Sequence, residues 1–326
     1  MISWVEDRLD RSDFSDYDAS RLRLSLILTT MRTIDRSILK LATLIACLVV
    51  ASTAAAQERA YFVTYDHYLE EPGNLEVAVA TTTGAPKRGA AAYTAPWLEL
   101  EYGVTGWWTS ELYLEGVTTR GDGNAFTGWR LENRFRPFAR ERRVNPVLYV
   151  EYEDINEASR IQKEIVGGGP DVTSPNSELH PIKAHELETK LILSSTVHDW
   201  NIAGNFIVEK NLSESEGFEF GYAFGFARPL ASLASGSECR LCRENFIAGL
   251  EFYGGLGSTE DGFSVHNTAH YVAPVVSWQL SDNGSFHFSP GFALTHEGSP
   301  VLIRFGYSYE LRGFGSKVAQ LLGGKH

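Results

Sequence analysis

Glutamates recur at every second position in several stretches of this chain, as Glu99 and Glu101, Glu151 and Glu153, and Glu186 and Glu188. Glu111, Glu115, Glu132, Glu209, Glu219, Glu251 and Glu310 stand singly among apolar or small neighbours in similar stretches. Arg130, Arg134, Arg136, Lys190 and Arg304 occupy equivalent alternate positions. In an extended chain alternate side chains share one face. Thirteen acids and five bases on such a face have two chemical uses. Lining an open pore, they would enrich cations and repel anions. Packed across a narrow interior they would pair and fill it, and the run Arg130, Glu132, Arg134, Arg136 suits that use.

Other chemistry is sparse. Cys239 and Cys242 are spaced as a redox or metal pair. No second cysteine pair, histidine cluster or βαβ pattern accompanies them, so a local disulfide is expected if the chain is exported. The nine histidines show no metal-ligand spacing, and no metal or cofactor is expected. Gly167-Gly168-Gly169-Pro170 reads as a loop with no helix following, so it is not a phosphate cradle. No catalytic constellation emerges.

The elements that must position the charges are strands. In 301–311 the apolar or aromatic residues Val301, Ile303, Phe305, Tyr307, Tyr309 and Leu311 alternate with Arg304, Gly306, Ser308 and Glu310. The clearest repeat is 218–227, where five aromatic residues face away from Glu219, Gly221, Ala223, Gly225 and Ala227. Strand-length segments of this kind recur at 75–83, 93–103, 107–119, 125–137, 146–155, 184–197, 201–211, 217–229, 246–256, 269–280, 285–295 and 301–311. That is about twelve, and 61–68 could add another. Joins at 104–106, 198–200 and 281–284 are short and fall on one side, whereas 156–183 is long, polar and on the other.

An export signal lies inside the chain. Arg32, Arg36 and Lys40 precede an apolar run over 41–51, and Ala54-Ala55-Ala56 follows it. The run is too short to span a membrane as a helix. We read 31–56 as a signal peptide cleaved after Ala56, and 1–30 as untranslated or disordered. Leu44-Ile45-Ala46-Cys47 offers a lipobox as a second reading. The segment removed is charge-balanced, so the mature chain keeps the net charge of −12. A surplus of acid argues against nucleic acid as a partner.

Alternating sheets occur in soluble sandwiches too, but charges at mid-strand positions need water or a polar lumen, and cost roughly 2–4 kcal/mol facing lipid for an Arg or Lys. Trp97, Trp107, Trp108, Trp129, Trp200 and Trp278 fall near predicted strand ends, as interfacial belts require. The expected fold is therefore all-β, an antiparallel up-and-down transmembrane β-barrel over 57–311 of about twelve strands, with 312–326 a short periplasmic tail.

Arg304-x-Gly306-x-x-Tyr309-x-Leu311 resembles the β-signal of bacterial outer-membrane proteins, the closing-strand pattern recognised by the barrel-assembly machinery. The mature chain resembles the small barrels related to porin-like outer-membrane channels. That resemblance implies a Gram-negative outer membrane, its lipid and the assembly machinery as partners, and a possible homo-oligomer. It also implies a passive channel for small solutes or ions, with a mild cation preference from the acidic face. A structural or binding barrel with a charge-plugged lumen is the alternative. An enzyme is not expected: neither His266-Asn267-Thr268 nor Ser281-Asp282-Asn283-Gly284 matches the His-x-Ser-Asn-Gly stretch of twelve-stranded outer-membrane phospholipases.

Overall fold

The computed structural model describes residues 60–87, 90–161, 166, 171–215, 217–231 and 245–323. The expected leader, the stretch before it, Gly167–Pro170 and the Cys239–Cys242 pair lie outside the described residues. The strands are β1 (Leu75–Ala85), β2 (Tyr93–Thr105), β3 (Trp108–Thr119), β4 (Gly123–Phe135), β5 (Asn145–Asn156), β6 (Lys183–Val197), β7 (Trp200–Asn211), β8 (Phe218–Pro229), β9 (Phe246–Ser258), β10 (Gly262–Phe263), β11 (His270–Ser281), β12 (Gly284–Ala293) and β13 (Val301–Leu311). Two helices, α1 (Asn176–Leu179) and α2 (Phe314–Gly323), complete the described elements.

Each long strand pairs antiparallel with its neighbours, β13 returns to β1, and β9 joins β8 to β11. The ladder therefore closes into a barrel of twelve staves, with the two-residue β10 folded back on the end of β9. Closure is what satisfies every edge N–H and C=O without water. The two-residue hairpins at 106–107, 198–199 and 282–283 lie at one end, here the turn end. At 198–199, His198 and Asp199 both take positive φ, 50° and 65°, as the two central residues of a twist-matched hairpin do.

The barrel is greasy outside. Val79, Leu114, Leu131, Leu148, Leu191, Phe206, Phe224, Phe288 and Phe305 are exposed around its circumference. A contiguous apolar surface of that kind marks a lipid contact. Outward charges on the strands, namely Asp154, Lys183, Lys210 and Arg228, stand within three residues of a strand end. Trp107 and Trp108 lie against Phe135, and Trp278 against Phe246, at the turn end, where an aromatic girdle belongs.

Two expectations are corrected. Residues 61–68 form no strand: the chain from Ala60 to Glu71 crosses the lumen as an internal strap, because its backbone N–H groups bond to lumen side chains instead of a ladder. Trp97 does not belong to a belt: it lies mid-strand on the inward row of β2 and meets Phe62 edge-on, ring centroids 6.0 Å apart at 89°. The segment after β5 folds inward, burying Ala158, Ile161 and Leu179 against Tyr93, Ala95 and Val117 at the loop end. The one-turn helix α1 follows the Gly-Pro run, at a distance and too short to cradle a phosphate. The C-terminal segment forms α2, which seats Phe314 on Tyr102 at the turn end.

Candidate functional site

The inward face carries the charges. Glu99, Glu101, Glu111, Glu115, Arg130, Glu132, Arg134, Glu151, Glu153, Glu186, Glu188, Lys190, Glu251, Arg304 and Glu310 are all buried within the barrel. Glu209, Glu219 and Arg136 are half-buried near strand ends, with Arg136 donating to the Gly106 carbonyl in a turn, 3.0 Å away.

The register aligns most of the acids. Glu310, Glu76, Glu101, Glu111, Glu132, Glu151, Glu188, Glu209 and Glu219 are successive cross-strand partners from β13 through β1 to β8. Strands in a barrel tilt from its axis, so a row running across them climbs. This one starts one residue from the turn end of β13 and finishes one residue from the loop end of β8. It is a ramp of nine carboxylates winding from mouth to mouth. Like charges directly opposite repel, so the ramp needs cations beside it.

The cations stand in the adjacent rows. Arg134 reaches Glu101, Glu111 and Glu132, the last at 3.0 Å. Arg130 donates to both oxygens of Glu151 at 2.9 Å and to Glu115. Lys190 lies 2.8 Å from Glu188 and 4.0 Å from the centre of the Tyr149 ring. Arg312, beyond β13, lies 2.9 Å from Glu310. Arg304 donates to Thr82 at 3.2 Å and to the Tyr253 hydroxyl.

The strap fills the space these rows enclose. Phe62, Val63 and Thr64 aim three successive N–H groups at the Glu251 carboxylate, at 3.2, 2.8 and 2.7 Å, making a backbone nest for an anion. Tyr61 donates to the Asn201 carbonyl at 2.7 Å, Tyr65 donates to Glu132 at 2.9 Å, and His67 meets Ser194 at 2.6 Å. Two spaces lie between strap and wall among the described residues. One is lined by Glu76, Ala78, Glu99 and His287, and the other by Thr82, Tyr113, Lys190 and Arg304. Both are walled by Phe62, Trp97 and Glu99, so the Phe62–Trp97 contact stands between them.

The segment after β5 is itself braced. Ser159 donates to Glu115 at 3.1 Å. Burial alone would raise the Asp171 carboxyl, but bonds from Ser174 and Thr173 outweigh it and hold the group well below the usual carboxylate range.

No family model matches the chain, and no curated protein matches it. Among solved structures, the chain is similar to the KdgM porin, at 7% identity over 72% of this chain and 98% of that one, with a TM-score of 0.42. It is similar to the NanC porin at 11% identity over 72% and 98%, with a TM-score of 0.44. An outer-membrane channel from Pseudomonas putida F1 shares 11% identity over 75% and 98%, with a TM-score of 0.46. The barrel itself is read from the closed strand ladder.

The sequence reading missed the strap and Glu76. Glu76 alternates with Leu75, Val77 and Val79 and could have been found that way. The strap carries no period of its own, because each of its side chains answers a different wall.

Proposed function

We propose that this protein is an outer-membrane, porin-like channel for small solutes or ions, with a mild preference for cations, and that strap and inward-folded loop hold it closed in this form. The carboxylate ramp carries the reading. Nine acids in one unbroken cross-strand row are an expensive arrangement for a scaffold, since each pair repels. They are a useful one for drawing cations along a wall. The outward apolar band supports a membrane setting. Arg304, Gly306, Tyr309 and Leu311 would present the closing strand to the assembly machinery.

A second reading is favoured by one observation: Glu132, Glu151, Glu153 and Glu188 are wholly buried, as in a barrel whose lumen is filled for good. Planar-bilayer recordings separate the two. The full mature chain should open rarely, and a variant lacking 57–68 should conduct steadily, with a reversal potential favouring K⁺ over Cl⁻. Silence from both proteins sinks the channel reading and leaves the filled scaffold.

A further inference from the structure

On the wall formed by β5, β6 and β7, five carboxylates crowd together: Glu151, Glu153, Glu186, Glu188 and Glu209. Glu153 faces Glu186 directly across the ladder, Glu151 faces Glu188, and Glu188 faces Glu209. One oxygen each from Glu151, Glu153 and Glu188 lies within 4.8 Å of the others, and the same holds for Glu153, Glu186 and Glu209. Glu153 belongs to both groups.

Acidic clusters are common, and this one is set apart by Glu153. Its side chain is fully buried, and neither carboxylate oxygen has a hydrogen-bond partner among the described residues. Arg130 stands directly opposite Glu153 across the ladder, but the hydrogen bonds it makes go to Glu151 and Glu115, and Lys190 pairs with Glu188. A buried carboxylate without a partner is among the costliest things a fold can keep, unless it is neutralised or coordinates a metal. Oxygens from three side chains at this spacing form a hard all-oxygen donor set.

We propose that Glu153 is the centre of a divalent-cation site, taking Ca²⁺ in preference to Mg²⁺, with Glu151, Glu186, Glu188 and Glu209 as the surrounding ligands. Calcium tolerates many carboxylate oxygens in irregular geometry, whereas magnesium demands a near-ideal octahedron and keeps its waters. The bound ion offsets repulsion across three strands and thereby ties β5, β6 and β7 together. It does so whether or not the lumen conducts.

The test uses the full mature chain, purified in detergent and stripped with chelator, titrated calorimetrically with CaCl₂ and separately with MgCl₂. One Ca²⁺ per barrel should bind more tightly than Mg²⁺ and raise the melting temperature. Glu153→Gln should weaken Ca²⁺ by roughly tenfold or more, and in chelator should melt no lower than the native chain. If Glu153→Gln fails to fold, Glu186→Gln serves in its place, with a smaller loss of affinity expected. Absence of Ca²⁺ binding, or binding unchanged in these variants, overturns the site and means that Glu153 is held as the neutral acid.

Discussion

Arg134 answers carboxylates on three strands: Glu101 on β2, Glu111 on β3 and Glu132 on its own β4. Its guanidinium also lies over the Tyr65 ring of the strap, 5.2 Å from the centre. Removing one partner of a buried ion network leaves uncompensated charge, typically a loss of 3–5 kcal/mol. Arg134→Ala should therefore lower unfolding stability by roughly 3–5 kcal/mol, read by tryptophan fluorescence in urea with the protein in lipid vesicles. Arg134→Lys should recover little, since one ammonium lacks the planar fork that reaches several acids at once. A native-like midpoint for the alanine variant would show that these acids carry no charge in place. Alternation alone was enough to put Arg134, Glu101 and Glu111 on a shared polar face. It could not say that one arginine serves three acids, because that depends on side chains from separate hairpins.

Among the elements, the strap occupies the lumen, and the wall is shaped to receive it. Gly225 on β8 has no side chain where Tyr61 lies: a Cβ there would sit 2.5 Å from the ring. Gly103 on β2 does the same for the strap's exit, where a Cβ would come within 2.1 Å of the Glu71 carbonyl. Gly225→Val should displace the strap while leaving the strand ladder intact. Proteolysis within 60–71 should accelerate, and single-channel openings should become longer than in the native protein. A protected strap in that variant would mean that Tyr61 contributes nothing to closure. These glycines look in sequence like the small members of an alternating strand, and nothing local marks them as a seat. The short hairpins, by contrast, were legible, because His198-Asp199 and Asp282-Asn283 are turn chemistry written in adjacent residues.

For the molecule as a whole, stability rests on a closed hydrogen-bond ladder wrapped in apolar side chains, and less on a buried oily core. A closed ladder has no edge from which to fray, so opening it requires breaking many bonds together. The folded protein should therefore keep its compact form in SDS at room temperature and shift to the mobility of an unfolded chain only on boiling. It should also need detergent to stay dispersed. A protein soluble without detergent, or one whose gel mobility ignores heating, would remove the transmembrane reading altogether.

The strand array, the greasy and wet faces and the acidic surplus were all determined by the sequence alone. Alternation has a period of two residues and needs no knowledge of the rest of the chain. The tertiary structure decided everything that depends on register and closure. It turned scattered glutamates into a ramp across nine strands, placed Trp97 inward, and drew residues 60–71 into the lumen. Those outcomes depend on which residue stands opposite which across hairpins far apart in sequence, and no local pattern encodes that.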